Sequence, residues 1–260
     1  MFFPYERYKL LAEPIPVHYP ASEEDHARWI VQTIEKAEQA LTRLLNQPRP
    51  EMEILLVSGE DWPLAPHDET EDVSLPHPYW TDVTTPPSIV IPTEVDPLLG
   101  EMTPQKLAFL LYHHVALAYL EDDPRPWPND YPLWADEWQL KFAALWLSHT
   151  LDGQQGTVHS DLREHYAEIF EPELDGKTPT TVRGFYWDEE TSADDYLGFE
   201  LLLEQFAADL LDHSDSGVLP RFLALYRSGH DVLLSDDVTE MLATALGPGG
   251  ISWLENLDYF

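Results

Sequence analysis

The first periodic segment of the chain lies between residues 22 and 46, where apolar side chains recur at the spacing of a helix with one buried face. Ser22 precedes an acidic residue three positions later, Asp25, which is typical of a helix start. Pro48 and Pro50 prevent the helix from continuing. We therefore predict a helix over 22–46. Its apolar positions are Trp29, Ile30, Ile34, Ala37, Leu41, Leu44 and Leu45.

Short apolar runs then replace the helical pattern. Residues 52–58 and 88–92 are brief, β-branched and bounded by Pro or Gly, which favours buried strands. We predict an edge strand at 79–83 within a long loop, 59–87, and an irregular conformation for residues 1–21, which are rich in Pro. The pattern indicates a helix packed on a small sheet.

A long helix is predicted at 105–120, after the cap formed by Thr103 and Pro104. This segment is apolar on nearly every side, so we expect it to be central and buried.

Helical patterns dominate the rest of the chain. The fold class is therefore predicted as α+β, with an N-terminal α/β subdomain at 1–100 and a mainly helical lobe at 101–260 that together form one compact body. Further helices are predicted at 133–149, 160–170, 192–213, 217–228 and 235–246, with a short segment from 251, loops at 121–131 and 171–191, and a hairpin at 183–187.

Charge and composition then exclude several functions. The 260 residues include 48 acidic and 14 basic side chains, a formal net charge of −34, so we expect neither a nucleic acid nor a membrane as partner. No cysteine is present, which excludes disulfides and thiolate chemistry. The first residues lack the basic and apolar segments of a secretory signal, and no apolar run is long enough to span a bilayer. We expect a cytoplasmic protein.

His113 and His114 are adjacent within the most apolar helix. A buried imidazole needs a hydrogen-bond partner or a metal ion, and the structural role is the commoner one. Glu137 near the start of the following helix favours the metal interpretation, because zinc hydrolases use such a carboxylate as a ligand.

These residues resemble the gluzincin, or peptidase MA-like, superfamily of metallopeptidases. The chain has His113-His114-Val115-Ala116-Leu117, then 19 residues, then Glu137, where the family has HExxH and a glutamate on a second helix. The resemblance covers about residues 22–260 and implies a zincin-like fold. It places His113 at the first zinc ligand, Glu137 at the third, and Tyr196 at the transition-state tyrosine.

Two positions depart from the family pattern. His114 occupies the position of the general-base glutamate, and Leu117 occupies that of the second histidine ligand. Adjacent helical residues point about 100° apart, so His114 is poorly placed to replace that ligand. We therefore predict a metallopeptidase-like protein with no cofactor, no confident catalytic residue, and a vestigial site of His113, His114, Glu137 and Tyr196. A buried hydrogen bond between His113 and Glu137 is expected where the metal would sit.

The predicted function is a binding or structural role, with a residual cleft for a peptide or protein segment, rather than catalysis. One alternative is a zinc-dependent peptidase or other hydrolase that uses His113, Glu137 and a further histidine. A second alternative is an acidic protein that binds a basic partner. The histidines available to complete a zinc site are His67, His77, His159, His165 and His213.

Overall fold

The chain forms two compact units, Met1–Glu121 and Asp122–Phe260. The computed structural model describes residues 3–68, 74–96, 100–120, 132–165, 181–187, 191–229 and 232–260. The first unit combines a sheet with helices, whereas helices dominate the described part of the second. The α+β class is therefore confirmed. The predicted division near residue 100 stays a prediction, although the helix that follows it belongs to the first unit.

A mixed sheet of five strands organises the first unit, in the order β1-β2-β3-β5-β4. Its three inner strands run parallel, and each outer strand pairs antiparallel with its neighbour. β4 lies at the edge, as predicted, and β3 and β5 are the two buried runs. The strands are β1 (Lys9–Leu11), β2 (Val17–Tyr19), β3 (Glu53–Val57), β4 (Tyr79–Thr81) and β5 (Ser88–Pro92).

The prediction that residues 1–21 are irregular was wrong, because β1 and β2 lie there. Each has only three residues, so neither shows a readable alternation of its own. β2 is fixed by its neighbour instead: Val17 and His18 pair in parallel with β3, and the amide of Ile54 donates to the carbonyl of Pro16 at 2.9 Å. Pairing between distant segments outweighs the local proline signal.

Helix α1 (Glu24–Leu45) has the predicted extent but a different first residue. Glu23, not Ser22, is the N-cap, and the Ser22 hydroxyl donates to the Glu23 carboxylate at 3.2 Å. The helix ends at Asn46, whose φ of 52° is left-handed, a conformation that Asn tolerates.

Helix α2 (Pro104–Leu120) begins at the predicted cap, where the amide of Lys106 donates to the Thr103 hydroxyl at 3.2 Å. Phe109 and Leu111 are buried, as the apolar pattern predicts. The hydroxyl of Tyr119 lies 2.7 Å from that of Thr42 and so links α2 to α1. Among the described residues, no helix is long and apolar enough to cross a membrane.

The second unit is built around Trp138, whose side chain has no exposed surface. The indole meets Phe222 edge-on, with ring centroids 4.8 Å apart, and it also contacts Phe142 and Phe206. The described helices are α3 (Trp134–Leu147), α4 (Ser160–His165), α5 (Ala193–His213), α6 (Val218–Tyr226), α7 (Ser235–Leu246) and α8 (Gly250–Glu255), with a π-helical turn at Ser148–Asp152.

Most helix predictions for this unit are confirmed, but the hairpin at 183–187 is not. The described segment 181–187 forms a turn, and it pairs with the last residues of the chain. The amide of Val182 donates to the carbonyl of Tyr259 at 2.8 Å. Of the predicted helix at 160–170, residues 166–170 lie outside the described residues, as do the predicted loop 121–131 and most of 171–191.

Gly250 is a point where two backbones approach closely. A Cβ atom there would lie 2.4 Å from the carbonyl oxygen of Ala243. We therefore predict that Gly250→Ala lowers the free energy of unfolding by about 1–3 kcal/mol, because α8 must shift away from α7. Urea unfolding followed by circular dichroism measures this. Gly229→Ala is the matched control, since a Cβ there meets nothing within 4 Å; equal losses in both variants would contradict the packing argument.

Candidate functional site

The two histidines of the family-like motif lie on α2 in the first unit. Their rings meet edge-to-face, with centroids 5.3 Å apart and planes 85° from parallel. Leu117 lies one turn beyond His113 on the same side of the helix, because residues four apart share a helical face. Its side chain carries no donor atom. The family takes two zinc ligands from this helix, whereas α2 offers only His113 at those two positions. The residues at these positions therefore do not fit a zinc site of the family type.

Glu137 and Tyr196 lie in the second unit, where α3 packs against α5. Glu137 and Lys141 are four residues apart on α3, and Tyr196 and Glu200 have the same spacing on α5. The Lys141 ammonium forms an ion pair with Glu200, and Tyr196 hydrogen-bonds to the same carboxylate. Two stripes of polar residues thus meet inside an otherwise apolar helix pair. We call these four residues, together with Glu204 and His159, the α3–α5 polar cluster.

The cluster changes the protonation of its members. Burial, with the negative charge of Glu200, raises the pKa of Glu137 to about 7, although Lys141 opposes the shift. Burial alone would lower the pKa of Lys141, but the ion pair with Glu200 outweighs it and raises that pKa. The charge of Glu200, followed by burial, raises the pKa of Tyr196. Lys141 is therefore a fixed cation, and Glu137 gains or loses its proton near neutral pH.

Glu204 extends the cluster to the start of α4. Its carboxylate accepts hydrogen bonds from the amides of Val158 and His159, the latter at 3.0 Å, and lies 2.7 Å from His159 Nδ1. Burial favours a raised pKa for Glu204, but the hydrogen bonds from His159 outweigh burial and lower it. Glu204 is therefore ionised, and it holds the two residues that precede α4, Val158 and His159, against α5.

This arrangement combines a fixed positive charge with a carboxyl group that titrates near neutral pH. Lys141 supplies a positive charge between carboxylates, the role that a bound cation plays in a metal site. Glu137 can accept or release a proton at neutral pH. Within the described part of the chain, no group of three or more His, Asp or Glu side chains is arranged to hold a metal ion.

Three of the other histidines considered as possible zinc ligands have contacts elsewhere. His67 Nδ1 lies 2.8 Å from the carbonyl of Asp68, and His77 Nδ1 lies 3.3 Å from that of Pro78. His213 stacks on Trp253 with ring centroids 4.3 Å apart.

The predicted vestigial site is therefore divided between the units. His113 and His114 belong to the first unit and Glu137 and Tyr196 to the second, so the hydrogen bond between His113 and Glu137 stays a prediction. His165 ends α4, and its side chain lies outside the described residues.

Sequence reasoning missed Lys141, Glu200, Glu204 and the role of His159. The sequence did contain a signal, namely charged residues spaced four apart within apolar helices. Such residues must find partners when the helices pack, because an unpaired buried charge is costly. The sequence does not indicate which helix supplies the partner, because Lys141 and Glu200 are 59 residues apart.

Comparison with models of known protein families and with curated proteins finds no match to this chain. The gluzincin resemblance therefore depends on the spacing of His113, Leu117 and Glu137 and on the order of the elements around them.

The raised pKa of Glu137 predicts a pH-dependent stability. Between pH 4.5 and 7 the folded chain retains a proton on Glu137 that the unfolded chain releases, so this residue's contribution to the free energy of unfolding falls as the pH rises. The Glu137→Gln variant has no ionisable group at this position, so its free energy of unfolding does not fall for this reason. We expect the variant to gain on the order of 2 kcal/mol over the wild type between pH 4.5 and 8. Urea unfolding across this range measures the difference, and parallel profiles would contradict the prediction.

Proposed function

We propose that the chain is a metallopeptidase-like protein whose zinc site has been lost, and that it acts in the cytoplasm by binding a peptide or protein segment. The observation that carries this proposal is Leu117, a hydrocarbon side chain at the position of the second zinc ligand. Catalytic zinc sites use three protein ligands and leave a fourth position for water. His113 and Glu137 alone are one ligand short.

The second departure supports the same conclusion. The family's glutamate deprotonates the water that attacks the peptide bond, and His114 stands at that position. The two residues are adjacent on α2, so their side chains leave the helix about 100° apart, and their rings are 85° from parallel. Loss of the second ligand and of the base together removes both functions that α2 would supply to peptide hydrolysis.

Lys141 adds an argument from charge. A glutamate that has lost its metal leaves a negative charge that burial disfavours. Lys141 lowers the pKa of Glu137 toward its ordinary value and pairs with Glu200, so the chain itself provides positive charge beside the former ligand. The absence of cysteine suits the cytoplasm, and the excess of acidic residues favours a partner that is not a polyanion.

The wild-type chain is expected to hold less than stoichiometric zinc after dialysis against buffer without chelator. Mass spectrometry of the metal content checks this, together with hydrolysis of a mixture of peptides before and after treatment with chelator. One tightly held zinc per chain, with cleavage that the chelator abolishes, would instead establish a hydrolase with a rearranged ligand set.

Restoring the motif tests the resemblance itself. We expect His114→Glu combined with Leu117→His to bind about one zinc per chain, because the two changes recreate HExxH on α2. Adding Glu137→Gln should weaken zinc binding by about tenfold or more, since it removes the third ligand. Calorimetric titration with zinc measures both effects.

The matched control is His114→Gln with Leu117→Gln, which introduces polar groups without zinc ligands. If the restored variant keeps the circular dichroism of the wild type yet binds no more zinc than this control, Glu137 does not complete the site and the gluzincin resemblance is wrong.

A further inference from the structure

A surface groove crosses the second unit beside α7 and α8. It consists of two depressions, with volumes of about 330 and 320 Å³, that adjoin at the ion pair between Arg183 and Asp236. Both of these residues line both depressions. We call the whole feature the α7–α8 groove. An extended segment can contact both adjoining depressions, which a compact small molecule in one of them cannot.

Both ends of the groove expose apolar surface. Tyr186 is 62% exposed and Leu234 is 54% exposed in the first depression, and Ile251 is 43% exposed in the second. Trp187, next to Tyr186, is also 62% exposed, and its ring lies edge-on to that of Tyr196. Exposed aromatic and aliphatic side chains at two separated points are typical of a surface that receives anchor residues from a partner.

The charge between these ends is negative. Among the described lining residues of the second depression, Asp236, Glu240 and Glu255 accompany one cation, Arg183, so these residues carry two more negative than positive charges. Arg183 is itself engaged, because it pairs with Asp236 and lies over the Phe260 ring at 5.8 Å from its centroid. Glu240 and Glu255 remain on the exposed surface, where a partner's ammonium or guanidinium can reach them.

We propose that the α7–α8 groove binds an extended, basic segment of a partner protein, in which Lys or Arg residues alternate with apolar ones. The apolar side chains contact Tyr186 and Leu234 at one end and Ile251 at the other, and the basic side chains contact Glu240 and Glu255. A second copy of this chain is disfavoured as the occupant, because each copy has a net charge of −34.

The described lining of the α7–α8 groove contains none of the residues of the family-like motif. The zinc experiments and the groove experiment can therefore fail independently. A chain that binds zinc and hydrolyses peptides could still bind a segment in the groove. Conversely, a chain that binds no zinc could also bind nothing in the groove.

The test uses the full chain and a fluorescently labelled peptide of alternating Leu and Lys, with fluorescence anisotropy as the readout. We expect saturable binding that weakens as salt is added. Glu240→Lys with Glu255→Lys should weaken binding by about tenfold or more, because two attractive contacts become repulsive. Tyr186→Ser with Ile251→Ser should weaken it by a similar factor through the loss of apolar contact.

Matched controls separate the groove from the general acidity of the chain. Glu51→Lys with Glu60→Lys makes the same change in net charge on the first unit, and Leu10→Ser with Val83→Ser removes the same kind of exposed apolar surface. Both controls should bind the peptide within about twofold of the wild type.

Three results would overturn the proposal. The first is the absence of saturable binding to the wild type. The second is an equal loss of affinity in the groove variants and the controls, which would indicate attraction to acidic surface in general. The third is a wild-type dimer in sedimentation that Tyr186→Ser with Ile251→Ser dissociates, which would make a second copy the occupant.

Discussion

The ion pair between Lys141 and Glu200 is the interaction on which the packing of α3 against α5 depends. Both helices are largely apolar, yet each places carboxylates on the face that meets the other helix. Without the Lys141 ammonium those carboxylates would repel one another in a region of low dielectric constant. Removing one partner of such a buried pair commonly costs about 3–5 kcal/mol, because the other charge stays buried. The cation therefore compensates the charge that these carboxylates bring into the contact between the two helices.

The same pair belongs to a cluster in which every buried carboxylate is compensated. Glu137 is partly neutralised by protonation and partly by Lys141, and Glu204 is held by backbone amides and His159. Each carboxylate of the α3–α5 polar cluster thus has its own means of compensation. The cluster therefore lets two largely apolar helices pack with carboxylates buried between them.

Local sequence patterns predicted the elements whose stability is mostly local. The apolar run of α2, the periodicity of α1 and the breakers around β3 and β5 are each readable within a few residues, and these elements have the predicted extents. β1 and β2 were missed because three-residue strands obtain their stability from pairing: β2 pairs with β3, which is distant in sequence, and β1 pairs with β2. The motif on α2 was likewise found by spacing alone. The α3–α5 polar cluster was not, because it arises where two helices distant in sequence approach each other.

Burial of Lys141 has a consequence for the electrostatics of the whole chain. Mobile ions reach the many exposed carboxylates and weaken their mutual repulsion, but they have little access to Lys141, a residue that is only 7% exposed. A change in ionic strength therefore alters the interactions between surface charges and has little effect on those between buried charges. The attraction between Lys141 and Glu200 should therefore persist at salt concentrations that screen the surface charges.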